Sequence, residues 1–144
     1  MTSVLLADDQ QLVRAGFRSI LEHQSDLMVV GEAGDGVEAV RLARELRSDL
    51  VLMDIRMPVL DGLAATRLVL QQPTPPVVVV LTTFDADEFV YAALRDGAAG
   101  FLVKDTSPEE LVAAVRAVLV GDRILSPSIT RRLIEAYVST PRSH

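Results

Sequence analysis

Val77-Val78-Val79-Val80-Leu81-Thr82 is the stretch whose reading decides the fold. Its apolar residues follow one another without polar alternation, which is the pattern of a strand buried on both faces of a parallel sheet. Four further short apolar or β-branched runs flank it: Val4–Ala7, Met28–Ala33, Leu50–Met53 and Gly100–Lys104. The five runs start about 22 to 27 residues apart, which leaves room for a crossover helix in each interval. The intervals have helical spacing: Val13, Phe17, Ile20 and Leu21 fall on one face, as do Leu111, Val115, Val118 and Leu119. Asp87 before Glu88-Phe89-Val90 reads as a helix start. So does Ser107-Pro108-Glu109-Glu110, with proline at the first position and acids in the first turn. Gly121-Asp122-Arg123 reads as a helix stop. Strand and helix alternating five times predict a parallel sheet with helices on both faces, joined by right-handed crossovers.

At 144 residues the chain is expected to form one domain with a short appendage. It has no cysteine, which excludes a disulfide scaffold, thiol catalysis and thiolate metal sites. No apolar run approaches a membrane span and no basic leader precedes an apolar stretch, so a cytoplasmic protein without a membrane partner is expected. The net charge of −6 argues against nucleic-acid binding by this chain alone. That charge is uneven: residues 1–122 carry −9, whereas residues 123–144 carry +3, with four arginines against Glu135. Of the 14 basic side chains only Lys104 is a lysine. A compact ammonium suits a point contact with an anion, where arginine would offer a planar fork.

The polar residues that end the apolar runs give that lysine a context. Run one ends in Asp8-Asp9, run three in Asp54, run four in Thr82-Thr83 and run five in Lys104. In a parallel sheet these ends share one edge, and open α/β sheets bind ligands there. Each residue alone has a plain alternative: Asp8-Asp9 as a loop and helix cap, Asp54 as a turn residue before Met57-Pro58, Thr82 as a hydroxyl satisfying backbone. Jointly they are harder to dismiss. Three crowded carboxylates repel and take up protons unless a cation joins them. With only oxygen ligands on offer, the fitting ion is Mg²⁺, which takes one or two carboxylates plus waters and phosphate oxygens. Such a metal attracts a phosphoryl group, and Asp54 at the centre of the edge can be its covalent acceptor. Lys104 and Thr82 would then face the new phosphoryl oxygens.

Asp8-Asp9, Asp54-Ile55-Arg56-Met57-Pro58, Asp61-Gly62, Thr82 and Gly97-Ala98-Ala99-Gly100-Phe101-Leu102-Val103-Lys104 resemble the receiver (CheY-like) domain of bacterial two-component response regulators. The resemblance covers residues 1–122. Leu81-Thr82-Thr83-Phe84-Asp85 and Gly-Phe-Leu-Val-Lys-Asp at 100–105 are similar to the NarL/FixJ subfamily, whose receivers precede a LuxR-type helix-turn-helix. The resemblance implies a flavodoxin-like (βα)5 fold, a doubly wound five-stranded parallel sheet of order 2-1-3-4-5 followed by a C-terminal linker helix. It implies Asp54 as phosphoacceptor, and Mg²⁺ held by Asp9, Asp54 and the backbone carbonyl of Arg56, with Asp8 ligating through water. Thr82 and Phe101 would be the switch pair, the ring filling space that the hydroxyl vacates. The plain reading of Phe101 is a core phenylalanine; it lacks the tyrosine hydroxyl of many relatives, so a switch would act by packing. Arg56 and Phe84 would flank the attacking water and tune phosphoryl lifetime.

The same resemblance implies a sensor histidine kinase as phosphodonor, a phosphorylation-dependent homodimer, and a signalling role rather than that of an enzyme. Residues 123–144 resemble the linker to a DNA-binding domain that is itself missing from the chain. Its segment from Ser126-Pro127 through Ile129, Leu133 and Tyr137 reads equally as a connector or as a packed appendage. The enzyme alternative is a Mg²⁺-dependent phosphohydrolase with an aspartyl nucleophile. That signature puts a second acid two residues after the nucleophile on strand one, where this chain has Gln10. A flavin module would need a Ser/Thr/Gly-rich phosphate loop, and Asp8-Asp9-Gln10-Gln11 has the wrong charge for one. His23 and His144 have no neighbouring triad or metal partners in the sequence; His23 reads as an exposed helix-end residue.

Overall fold

The computed structural model describes residues 1–83, 92–125 and 134–135. Among them β1 (Thr2–Ala7), α1 (Gln11–Glu22), β2 (Leu27–Ala33), α2 (Gly36–Leu46), β3 (Leu50–Asp54) and α3 (Gly62–Leu70) follow in turn. β4 (Val77–Thr82), β5 (Gly100–Val103), α4 (Pro108–Leu119) and β6 (Ile124–Leu125) complete the series. The strands form one parallel sheet of order β2-β1-β3-β4-β5-β6.

Strand alternation divides the interior into two cores. Leu5, Val51, Met53, Val78, Val80 and Phe101 face one, under α2 and α3. Val4, Leu6, Leu50, Leu52, Val79, Leu81 and Leu102 face the other, against Leu21 of α1 and Leu111, Val115 and Val118 of α4. This explains the unbroken valine run in β4: every side chain from Val78 to Leu81 is buried, whichever face it points to. Burying one such side chain contributes about 1.5–3 kcal/mol.

The helix signals act as local chemistry dictates. Ser107 caps α4 by accepting the Glu110 N–H at 3.2 Å, with Pro108 at the first position. Asp35 and Asp61 cap α2 and α3 in the same way, at 2.8 and 2.9 Å. Gly121 ends the α4 turn at φ +99, a left-handed conformation that glycine adopts without a steric penalty. His23 is exposed at the end of α1, as its sequence position suggests.

The expected five strands occur in the expected order, but the sheet has a sixth. Ile124 and Leu125 add a short parallel strand beside β5, in register with Gly100 and Phe101. The Arg123 guanidinium donates to the Ala98 carbonyl at 2.8 Å, and the Ile124 N–H to the Ala99 carbonyl at 3.0 Å. Gly100 permits this approach, since a Cβ there would stand 3.1 Å from the Ile124 carbonyl oxygen. The helix start at Asp87, Phe84, and the segment Ser126-Pro127 through Tyr137 fall outside the described residues, except that Ile134 and Glu135 are helical and exposed.

Candidate functional site

The acidic edge is built from the ends of β1 and β3. At the end of β1, the Asp8 N–H donates to the Ala33 carbonyl of β2 at 3.0 Å. Its Oδ1 accepts the Gln10 N–H at 2.8 Å, so a tight turn leads directly into α1. Asp8 is buried and Asp9 exposed, as consecutive residues leaving a strand on opposite sides should be. At the end of β3, Asp54 is also buried, and its Oδ1 accepts a long 3.4 Å bond from the Arg56 N–H. One oxygen from each of Asp8, Asp9 and Asp54 lies within 4.8 Å of the others.

Gly62 lets α3 close on this edge. Its N–H donates to the Ile55 carbonyl at 2.7 Å, and a Cβ there would lie 1.8 Å from the Asp54 carbonyl oxygen. Asp61 supplies the cap and Gly62 the clearance, which gives the Asp61-Gly62 pair a steric meaning.

Lys104 follows β5 and reaches across the edge. Its backbone N–H donates to the Thr82 carbonyl at 2.8 Å. Its ammonium stands 2.6 Å from Asp8 Oδ2 and 3.1 Å from Asp54 Oδ2. Burial pulls the Lys104 pKa down, but the bond to Asp8 and the charges of Asp54 and Asp8 outweigh it, so the ammonium is held above its usual range. Asp54 moves up instead: burial raises its pKa first and the Asp8 charge adds to that, against the opposing pull of Lys104.

The donor set fits Mg²⁺. Three carboxylates gather at this edge and one ammonium pairs with two of them, leaving two negative charges to be balanced by a divalent ion, and every clustered ligand atom is oxygen. Arg56, whose carbonyl the resemblance implicates, is exposed in the loop after β3.

Thr82 is buried at the end of β4. By alternation it shares a sheet face with Val80, which pairs with Phe101 on β5. Phe101 is fully buried in the core beneath α2 and α3. Asp8, Asp9, Asp54 and Lys104 are thus brought to one edge, with Thr82 at the same edge and Phe101 two residue pairs behind it. Arg14 and Glu32 also belong to this edge, and nothing in the sequence marks them as such. Arg14 Nη1 donates to the Asp8 carbonyl at 2.6 Å and its Nε to Glu32 at 2.9 Å. The two residues are 18 apart on a helix and a strand, and only the fold's register pairs them.

The response regulator receiver domain family matches residues 4–116. The chain belongs to that family. This receiver is 42% identical to the transcriptional regulatory protein YxjL of Bacillus subtilis, over 98% of its own length and 65% of that protein's. It is 43% identical to the response regulator GacA of Pseudomonas aeruginosa, over 92% of the receiver chain and 62% of GacA. The chain therefore spans a little under two thirds of the length of these curated relatives. In structure it resembles a LuxR-family two-component response regulator from Aurantimonas sp. SI85-9A1. That likeness has a TM-score of 0.90 at 36% identity, covering 96% of this receiver and 100% of that chain. The response regulator ChrA of a heme-sensing two-component system aligns at TM-score 0.77 and 40% identity, over 99% of this receiver and 68% of ChrA. No helix among the described residues of the receiver is long and apolar enough to cross a membrane.

Proposed function

We propose that this receiver accepts a phosphoryl group from a sensor histidine kinase onto Asp54, and that the modification controls dimerisation and transcriptional output. The observation carrying this reading is the Lys104 ammonium lying between the buried carboxylates of Asp8 and Asp54. An Asp54 carboxylate oxygen attacks phosphorus as the bond from phosphorus to the donor imidazole nitrogen breaks. The electron pair leaves with that nitrogen, which takes a proton from solvent. Asp8, Asp9, Asp54 and the Arg56 carbonyl would hold Mg²⁺, Asp8 through water. When bound, the ion neutralises phosphoryl oxygens during transfer. The Lys104 ammonium then turns from the Asp54 carboxylate to a phosphoryl oxygen, and the Thr82 hydroxyl donates to another.

Swinging a two-state domain from about 1:99 to 99:1 takes around 5.5 kcal/mol of preference for one state. Charge-assisted hydrogen bonds from Lys104 and Thr82, each worth about 1.5–3 kcal/mol, approach that figure. A shift of Thr82 toward the phosphoryl group opens space on the face that holds Phe101, whose ring moves to fill it. In this account residues 123–144 lead toward a LuxR-type DNA-binding domain in the whole cytoplasmic protein.

Sedimentation velocity with acetyl phosphate and Mg²⁺ tests the reading. Wild type should shift from monomer to dimer and Asp54→Asn should not. A dimerisation that survives in Asp54→Asn contradicts it, and continuous turnover of a phosphate ester with no retained adduct favours the phosphohydrolase.

A further inference from the structure

We infer that Arg14 is a positioning residue for the metal site: it fixes the Asp8–Asp9 peptide so that the exposed Asp9 carboxylate is aimed at the ion. This rests on the Mg²⁺-dependent phosphoacceptor reading. Asp8 is tied at four points. Its N–H bonds Ala33, its Oδ1 accepts from Gln10, its Oδ2 faces Lys104, and its carbonyl accepts from Arg14 Nη1 at 2.6 Å. Asp9 has no described hydrogen bond of its own and is exposed, so the backbone before it sets its direction. Of those four ties, only the bond to the Asp8 carbonyl fixes the plane of the peptide that leads into Asp9. A rigid peptide plane restricts where the next side chain can point.

Arg14 is itself held. Its Nε bonds Glu32 Oε1 at 2.9 Å, while Arg18 Nε bonds Glu32 Oε2 at 2.8 Å and Arg18 Nη1 approaches Glu22 at 3.3 Å. Two arginines and two glutamates balance, so this guanidinium can sit behind a cation site without adding net positive charge there. The fork geometry matters: one planar group reaches Glu32 with Nε and the Asp8 carbonyl with Nη1, whereas a lysine offers a single nitrogen and no fixed fork. Outer partners of metal ligands commonly contribute 10- to 100-fold to metal affinity.

The test is an NMR titration of the receiver with Mg²⁺, following the Asp9 and Gln10 amide signals. Arg14→Ala and Arg14→Lys should weaken the Mg²⁺ Kd by about tenfold or more. Glu32→Gln, which keeps the side-chain volume, should weaken it in the same direction and serves if Arg14→Ala does not fold. Arg116→Ala, which breaks the 2.9 Å pair with Asp26, controls for simple loss of an arginine ion pair and should keep wild-type affinity. Unchanged or tighter binding in a folded Arg14 variant, or in Glu32→Gln, overturns the inference. Phosphorylation by acetyl phosphate separates the two readings. Mg²⁺ binding that depends on Arg14 without phosphorylation sinks the phosphoacceptor reading alone, normal phosphorylation with an Arg14-independent Kd sinks the positioning role alone, and a wild type that binds no Mg²⁺ sinks both.

Discussion

The Lys104 ammonium stands 3.1 Å from Asp54 Oδ2, although one residue follows β5 and the other ends β3, with β4 between them. Only a long side chain spans that width, and its backbone N–H bond to the Thr82 carbonyl fixes where the stem begins. The only lysine in the chain therefore holds together two carboxylates that would otherwise repel each other. In the proposed function it would move to a phosphoryl oxygen on Asp54.

Ionised Asp54 opposes folding. Its folded pKa is raised by burial and by Asp8, so it contributes stability below its unfolded pKa that is lost as pH rises through the folded value. Asp54→Asn should therefore raise the Tm of the metal-free receiver at pH 7. The gain should vanish near pH 3. Thermal unfolding of both proteins at the two pH values checks this.

Removing Lys104 leaves two buried carboxylates without their ammonium. Lys104→Ala should lose about 1–3 kcal/mol in metal-free buffer, and Mg²⁺ should raise its Tm more than that of wild type by restoring counter-charge. It should still take up some phosphate yet fail to dimerise. Equal phosphorylation-driven dimerisation of mutant and wild type would exclude the signalling role given to this residue. In the wild type the Lys104 contribution is present below pH 10.5 and fades as pH rises through its raised folded pKa.

Glu32 has the opposite sign from Asp54. Its bond to Arg14 holds its pKa below the ordinary 4.5, with Arg18 adding to that against some burial. The stability it supplies is present above its unfolded pKa and lost as pH falls through the lower folded value. Glu32→Gln should therefore be less stable than wild type at neutral pH and lose less on acidification below about pH 4. Urea titrations across pH 3–7 measure both slopes.

Val59, in the loop after Asp54, has φ 71 and a side chain that is 82% exposed. A β-branched residue in the left-handed region is strained, and this one has little packing to lose. Val59→Gly should stabilise the receiver by about 0.5–1 kcal/mol despite glycine's greater unfolded-state entropy. Chemical denaturation of the two proteins decides it.

Strands buried on both faces were plain in the sequence because unbroken apolar runs have few other structural meanings. Asp8, Asp54, Thr82 and Lys104 were legible for the same reason, since each ends such a run. β6 was not, because Ile124-Leu125 is too short for any periodicity and depends on Arg123 reaching Ala98. The Arg14–Glu32 bond was equally hidden, since an arginine on an amphipathic helix looks like any solvated charge. Which of the adjacent Asp8 and Asp9 lies buried depends on where β1 stops, and composition does not mark that point.

Asp54 is the proposed phosphoacceptor, and everything else in the proposed signalling role depends on it. The direct test incubates the receiver with acetyl phosphate and Mg²⁺, reduces any acyl phosphate with borohydride, and maps the product by tandem mass spectrometry. Homoserine should be found at position 54, and should be absent when Mg²⁺ is chelated. Reduction at another aspartate, or an unmodified chain where a control receiver reacts, would contradict it.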